Sequence, residues 1–275
     1  MNRYLKLVNF EFTRFFKLYL VLIGITILSQ IIGVIVEAQL YLSRRSKFSY
    51  NELVPKSESI QYAKMSFLDI YRTAWFMGPI VVCLVTLLIY VFFIWYRDWL
   101  GKNTFSYRLF MLPTARLHIY LAKATTILFY VLGLVALQLL LLPVEIKVLQ
   151  WMVPSEFRTD LTVHEIINVP DLEILFPNTF IEFVLYYGTG IAAVCIVFTA
   201  ILFERSYRIK GILYGLLYCA ASIFIFIAPI LVNEFILRNY FYPTELFFME
   251  IVAGLLVLAC AIWTGNFLIK NKIRV

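Results

Sequence analysis

Charged side chains are scarce in this chain and are absent from long stretches of it. Only 15% of its 275 residues are charged, whereas 62% are hydrophobic, and the mean hydropathy is +0.85. These values exclude an ordinary soluble domain, in which about half of the residues are apolar. The chain is therefore predicted to lie in a lipid bilayer.

Histidine and cysteine are also rare, which limits the chemistry that the chain could perform. The run from His164 to Asn168, His-Glu-Ile-Ile-Asn, has Asn where a zinc peptidase motif requires a second His. The four cysteines fall in hydrophobic stretches and are interpreted as small packing residues. We predict no metal site and no catalytic residues, and we do not expect the chain to be an enzyme.

Nucleotide-binding motifs are missing as well. The sequence has no Gly-x-x-x-x-Gly-Lys-Ser/Thr run, so the chain itself is not expected to cradle nucleotide phosphates. The glycines Gly188 and Gly190 loosely fit a dinucleotide pattern, but they lie inside an apolar stretch rather than after a strand. We also predict no nucleic-acid partner, because the net charge of +7 is explained by membrane topology.

Six windows contain no Asp, Glu, Lys or Arg: residues 18–36, 73–96, 124–144, 183–203, 211–233 and 251–269. Each window is long enough to cross a hydrocarbon core of about 30 Å at about 1.5 Å per helical residue. We therefore predict an all-α polytopic membrane protein, with one transmembrane domain over residues 1–275. Without charged residues in the spans an ionised relay is not expected, so a partner would have to supply the energy for uphill transport.

The distribution of basic residues predicts the orientation of the spans. Basic side chains concentrate at both ends of the chain and in segments 97–123 and 204–210. The positive-inside rule then places these segments, and both termini, in the cytoplasm of a multi-pass cell-membrane protein. The segment 38–72, with six basic residues on the predicted outer side, fits the rule least well.

The residues before the first span form an amphipathic stretch. Residues 1–17 are predicted to form an interfacial helix, and Arg14 and Lys17 are predicted to reach lipid phosphates. The apolar face at helical spacing would consist of Leu5, Val8, Phe12, Phe15 and Phe16. A simple positive flank to the first span is the alternative.

Two other segments carry structural predictions. In the fifth span, Gly211, Gly215 and Cys219 are four residues apart and predict close helix packing, either within this chain or with a second copy. The acidic segment 145–182 on the predicted outer side is interpreted as a cap of short helices.

The turn between the second and third spans has the most distinctive sequence. Asp98 follows the second span, and an amphipathic run leads to Leu112-Pro113-Thr114-Ala115-Arg116, with Lys123 at the start of the third span. This arrangement resembles the second cytosolic turn of type-2 ATP-binding-cassette exporter permeases, and residues 8–17 are similar to their amphipathic N-terminal helix. The predicted six spans extend the likeness, as topology, over nearly the whole chain. The sizeable first outer loop departs from the usual pattern of that family.

The resemblance implies a coupling helix that docks on a separate ATPase subunit, which would carry ATP and Mg. It assigns coupling to Asp98, Leu100, Phe105, Leu109, Leu112, Pro113 and Arg116. Pro113 would end the coupling helix, while Arg116 and Lys123 would hold the third span at lipid phosphates. The chain would form the translocation pathway as a dimer, with a second copy or a related permease.

Apolar and aromatic spans favour a hydrophobic or amphiphilic cargo, such as a peptide, a lipid or an antimicrobial compound. The alternative function is a membrane scaffold or sensor subunit that transports nothing.

Overall fold

The computed structural model describes residues 3–50, 64–99, 109, 115–236 and 240–272, apart from the side chains of residues 47–50 and of Asp171. In chain order the elements are α1 (Arg3–Tyr50), β1 (Met65–Ser66), α2 (Phe67–Tyr71), α3 (Ala74–Trp99), α4 (Arg116–Met152), a 3-10 turn (Ser155–Phe157), β2 (Arg158–Thr159), α5 (Val163–Ile167), α6 (Pro170–Glu173), α7 (Phe180–Tyr207), α8 (Ile209–Leu231), a π-helical turn (Val232–Ile236) and α9 (Pro243–Asn271). Six of the helices are long and apolar enough to cross a membrane. The predicted all-α polytopic membrane fold is therefore confirmed.

Two of these helices are much longer than the uncharged windows. Helix α1 has 48 residues and α4 has 37, so they extend over roughly 72 Å and 55 Å. The third window ends at residue 144, directly after Pro143, but helix α4 continues to Met152. Charged residues just beyond the windows are therefore part of the same continuous helices as the spans.

The segment predicted as an interfacial helix is the first part of α1 rather than a separate element. Leu7, Val8 and Phe15 are buried, whereas Leu5 and Phe16 of the predicted apolar face are exposed. The predicted face is thus only partly correct. Amphipathicity locates a helix, but the helix that packs against it decides which residues are buried.

By their internal contacts the residues divide into two compact units. The terminal unit comprises the described parts of residues 1–14, 87–129 and 179–275, and the loop unit comprises those of 15–86 and 130–178. Three of the boundaries fall inside long helices, so each unit contains only part of α1, α3 and α4.

The loop unit joins two segments that are far apart in the sequence. Strands β1 and β2 form a parallel pair, with Met65 opposite Arg158 and Ser66 opposite Thr159. Two of the short helices, α2 and α5, begin at capping boxes, in which the caps Ser66 and Thr162 pair with acids three residues later. The predicted cap at 145–182 therefore does contain short helices, although its first residues, 145–152, belong to α4.

One apolar core underlies this unit. Its buried side chains include Val34 and Ala38 from α1, Leu142 and Leu149 from α4, and residues of the short helices. At the edge of the core, the guanidinium of Arg45 lies 3.7 Å from the ring centroid of Phe157. Nearby, the hydrogen bond from Arg158 Nε, 2.7 Å long, holds the pKa of Asp160 below its usual value.

In the terminal unit, glycines bring α7 and α8 close together. A Cβ placed on Gly211 would lie 2.1 Å from the carbonyl oxygen of Phe203, and one on Gly215 would lie 2.9 Å from that of Ala200. Both carbonyl oxygens belong to α7, so the helix on which these two glycines pack is in the same chain. Cys219, the third predicted packing residue, is partly exposed.

Replacing Gly211 with alanine should weaken this packing. Because the Cβ would overlap the backbone of α7, we expect a loss of about 1–3 kcal/mol, or roughly 2–4 °C in the thermal midpoint for each kcal/mol. The midpoint of the purified chain in detergent measures the effect. Gly188→Ala is the matched control, since nothing lies within 4 Å of a Cβ at that position. Equal midpoints for the two variants would contradict the packing described here.

Candidate functional site

A buried lysine lies at the start of the third span. The Nζ atom of Lys123 is 2.8 Å from Glu11 Oε1, 2.5 Å from Asp98 Oδ2 and 2.9 Å from the carbonyl oxygen of Ile94. An ammonium group has three hydrogen-bond donors, so all three are used. The side chain of Lys123 is 0% exposed, and those of Glu11 and Asp98 are 3% and 2% exposed.

Two arginines complete the group, which we call the ion cluster (Glu11, Arg14, Arg97, Asp98 and Lys123). Arg14 Nη1 donates to Asp98 Oδ1 at 2.7 Å, and Arg97 Nη2 donates to Glu11 Oε2 at 3.0 Å. Each carboxylate therefore binds the lysine with one oxygen and an arginine with the other. Three cations face two carboxylates, which leaves one positive charge in excess.

Helical spacing explains how three helices present these groups. Glu11 and Arg14 are three residues apart on α1, and Ile94 and Asp98 are four residues apart on α3, so each pair shares a face. Lys123 lies on α4, two turns after the helix begins at Arg116. The cluster thus joins α1, the end of α3 and the start of α4.

The electrostatics make the cluster all-or-none. Removing a charge from water costs several kcal/mol, and close pairing offsets that cost only when every lone pair and donor has a partner. Loss of one partner from a buried pair costs about 3–5 kcal/mol, because it leaves the other charge uncompensated. The three helices are therefore held in one arrangement.

Aromatic side chains shield the cluster on one side. Lys123 Nζ lies 5.1 Å from the ring centroid of Trp95, which is in edge contact with Phe198 at 5.5 Å. Tyr120, one turn before Lys123, donates to the carbonyl oxygen of Cys195 at 2.8 Å. Gly265 allows α9 to approach, since a Cβ there would lie 2.9 Å from the ring of Tyr120.

The N-terminal residues contact α4 as well. The hydroxyl groups of Tyr4 and Thr125 lie 3.0 Å apart, and the ring of Tyr4 meets that of His118 edge-on with centroids 6.0 Å apart. The first turns of α1 therefore pack on protein along their buried side. The side chains of Leu5 and Phe10, by contrast, are exposed.

The structure corrects the sequence-based role of Lys123. Its ammonium group was expected to hold the third span at lipid phosphates, but it is fully buried among protein groups. Arg14, the second predicted anchor, donates to Asp98, with its side chain 24% exposed. Lys17 is exposed, as an interfacial anchor would be.

The residues predicted to couple to an ATPase fall into three groups. Asp98 is buried in the ion cluster, so it does not lie on a docking surface. Arg116 Nη1 donates to the carbonyl oxygen of Ile269 at 2.9 Å, near the end of α9, where a cation is favourable. Leu109 is helical and buried, while the predictions for Leu100, Phe105, Leu112 and Pro113 lie outside the described residues.

Sequence reasoning missed Glu11 and Arg97 as members of the site. Glu11 is the one acid among the basic and aromatic residues at 3–17, and this isolated carboxylate was the available signal. A buried lysine needs a carboxylate as its partner. Because basic residues outnumber acids in these segments, each acid there was a candidate for such a pair. A third buried acid, Glu145, lies in the loop unit and was also missed.

Comparison with known proteins identifies no relative of this chain: no family model, no curated protein and no solved structure matches it.

Replacement of Lys123 tests the cluster. We expect Lys123→Met to lower the free energy of unfolding by about 3–5 kcal/mol, because Glu11 and Asp98 lose their shared partner. The double variant Lys123→Met/Glu11→Gln should lose less than the sum of the single variants, since the neutral amide leaves one carboxylate fewer without its lysine. Unfolding midpoints in detergent measure these differences. Lys17→Met, which removes an exposed lysine from α1, is the control; a loss equal to that of Lys123→Met would contradict the prediction.

Proposed function

We propose that this chain is the permease subunit of an ATP-driven exporter, and that its ATPase is a separate subunit that docks on the turn at residues 97–123. The observation that carries the proposal is the ion cluster. Arg97 and Asp98 begin the turn and Lys123 ends it, and all three belong to the cluster. Both ends of the turn are therefore tied to each other and to α1.

The ion cluster thus acts as a brace for the turn, and a turn on which a partner exerts force requires such a brace. A partner that pushes on a flexible loop moves only the loop, whereas a turn fixed at both ends transmits the displacement to its helices. Breaking one buried pair of the cluster costs several kcal/mol. Under load, the cytoplasmic ends of α1, α3 and α4 would therefore move together.

The contacts support roles for individual residues that differ from those the resemblance implies. Asp98 and Lys123 brace the turn from inside, and Arg116 fastens the start of α4 to the end of α9. Docking would fall to Leu100, Phe105, Leu112 and Pro113, the apolar and proline positions of the turn. Docking of the ATPase subunit and fixation of the turn within the chain would thus depend on different residues of the same short segment.

The rest of the complex follows from the same proposal. The chain has no Walker-type phosphate loop, so ATP and Mg would be bound by the ATPase subunit. A second copy or a related permease would complete the pathway in the cell membrane, with both termini in the cytoplasm. Gly211 and Gly215 already pack on α7 of the same chain, so the contact between permeases would use other surfaces.

Co-purification from the native membrane in mild detergent tests the proposal. We expect a nucleotide-binding subunit and its ATP hydrolysis to accompany the wild type and to be lost with Phe105→Asp/Leu112→Asp, because charges would disrupt an apolar docking surface. Arg116 is left unchanged, since its guanidinium binds Ile269 inside the chain.

Two controls separate docking from other effects. Glu11→Gln alters the brace but not the docking residues, so the ATPase subunit should remain bound. Glu156→Lys changes an exposed residue of the loop unit and should have no effect. If no ATPase accompanies the wild type under conditions that preserve other membrane complexes, the exporter proposal is wrong, and a scaffold or sensor subunit becomes the better interpretation.

The proposed cargo is hydrophobic or amphiphilic, such as a peptide, a lipid or an antimicrobial compound. The uncharged spans support this choice, because a pathway of apolar side chains gives a hydrophilic solute no polar partners. The reconstituted complex should therefore move a fluorescent amphiphilic peptide in an ATP-dependent manner and leave a radiolabelled sugar behind. ATP-driven transport of the sugar would contradict the proposal.

A further inference from the structure

The loop unit contains a buried carboxyl group that the proposed function does not use. Glu145 is 0% exposed, and neither Oε1 nor Oε2 has a hydrogen-bond partner in the described part of the chain. It lies on α4 between Leu142 and Leu149, three and four residues away, so it shares their face. Both leucines belong to the apolar core of the loop unit.

Charged groups of the neighbouring elements do not compensate it. Among the described side chains, the titratable ones of the elements in this unit are Lys17, Tyr19, Glu37, Tyr41, Arg44 and Arg45 on α1, Lys64 before β1, Asp69, Tyr71 and Arg72 at α2, Cys83 on α3, Tyr130 and Lys147 on α4, and Glu156, Arg158, Asp160, His164, Glu165 and Glu173 after α4. Arg45 and Arg158 are occupied with Phe157 and Asp160, and Lys147 is exposed. Among the described residues, none forms an ion pair with Glu145.

An ionised carboxylate in this position would be very unfavourable. Burial of a charge without a partner costs far more than burial of a neutral group, and the usual result is that the group takes up a proton. A proton also needs no additional volume, so it fits a site enclosed by packed side chains.

We propose that Glu145 is a proton-binding site. It holds a proton while the apolar core of the loop unit is closed, and it releases the proton to water when that core opens. Binding of the proton to Glu145 thereby favours the closed conformation of this core. The inference does not depend on an ATPase partner or on transport.

A second polar group in the same core makes opening easier. Gln30 Nε2 donates to Gln138 Oε1 at 3.1 Å and to the carbonyl oxygen of Phe76 at 3.3 Å. Gln30 Oε1 and Gln138 Nε2 have no partner among the described residues. Gln138 lies on the same face of α4, two turns before Glu145, or about 10.5 Å along the axis. Water that enters an open core would satisfy these amide atoms as well, which offsets part of the cost of opening.

The proposal fixes the sign of a pH effect. The closed conformation binds one proton more than the open one, so rising pH favours opening. Once Glu145 ionises in the open conformation, each pH unit lowers the ratio of closed to open molecules up to tenfold. The effect ends when Glu145 has also lost its proton in the closed conformation.

The experiment uses the full-length chain in lipid nanodiscs between about pH 5 and about pH 9. Infrared difference spectra detect the carbonyl stretch of a protonated carboxylic acid in the wild type. Amide hydrogen exchange of residues 67–71 and 163–173, corrected for the intrinsic effect of pH, reports opening of the core. Glu145→Gln imitates the protonated side chain, and Glu156→Gln removes an exposed carboxylate of the same unit.

We expect the wild type and Glu156→Gln to lose protection as pH rises, by up to tenfold per pH unit, together with the infrared band. Glu145→Gln should lack the band and keep its protection at high pH. The proposal is overturned if the wild type has no pH-dependent band, or if Glu145→Gln loses protection with pH as the wild type does. The wild-type infrared result stands even if the glutamine variant does not fold.

Discussion

The terminal unit depends on the removal of one ammonium group, that of Lys123, from water. A charged nitrogen inside a protein is stable only with partners on every donor, and here the three partners come from α1 and α3. Burial of Lys123 therefore requires α1 to carry a carboxylate into the interior and α3 to bring Asp98 and the carbonyl group of Ile94 beside it. The packing of Glu11 on α1 and of Ile94 and Asp98 on α3 against the start of α4 follows from this requirement.

The two units use buried carboxylates in opposite ways. Glu11 and Asp98 each bind two cations with their two oxygens, so both carboxylates of the ion cluster are saturated, although Arg97 Nε has no partner among the described residues. Glu145 has neither a cation nor a donor among the described residues, and the amides of Gln30 and Gln138 are only partly satisfied. Saturated networks oppose rearrangement, whereas unsatisfied ones lower its cost.

Sequence reasoning succeeded where a local property decides the structure. The six long helices follow from uncharged windows of sufficient length, and close packing at Gly211 and Gly215 follows from small residues at helical spacing. It failed for Lys123, whose ammonium group is fully buried. A basic residue beside an apolar window is equally compatible with lipid phosphates, a protein partner or a buried ion pair. The roles of Leu100, Phe105, Leu112 and Pro113 remain predictions.

The sequence by itself determined that the chain is helical and spans a membrane, because hydrophobicity and segment length act within one stretch of residues. Only the tertiary structure decided which charges meet. Glu11 and Lys123 are separated by 112 residues, and Arg97 reaches Glu11 across 86. The energy of such a pair depends on the distance between side chains of different helices and on the exclusion of water around them. Neither quantity can be read along the chain, since both arise only when the helices pack.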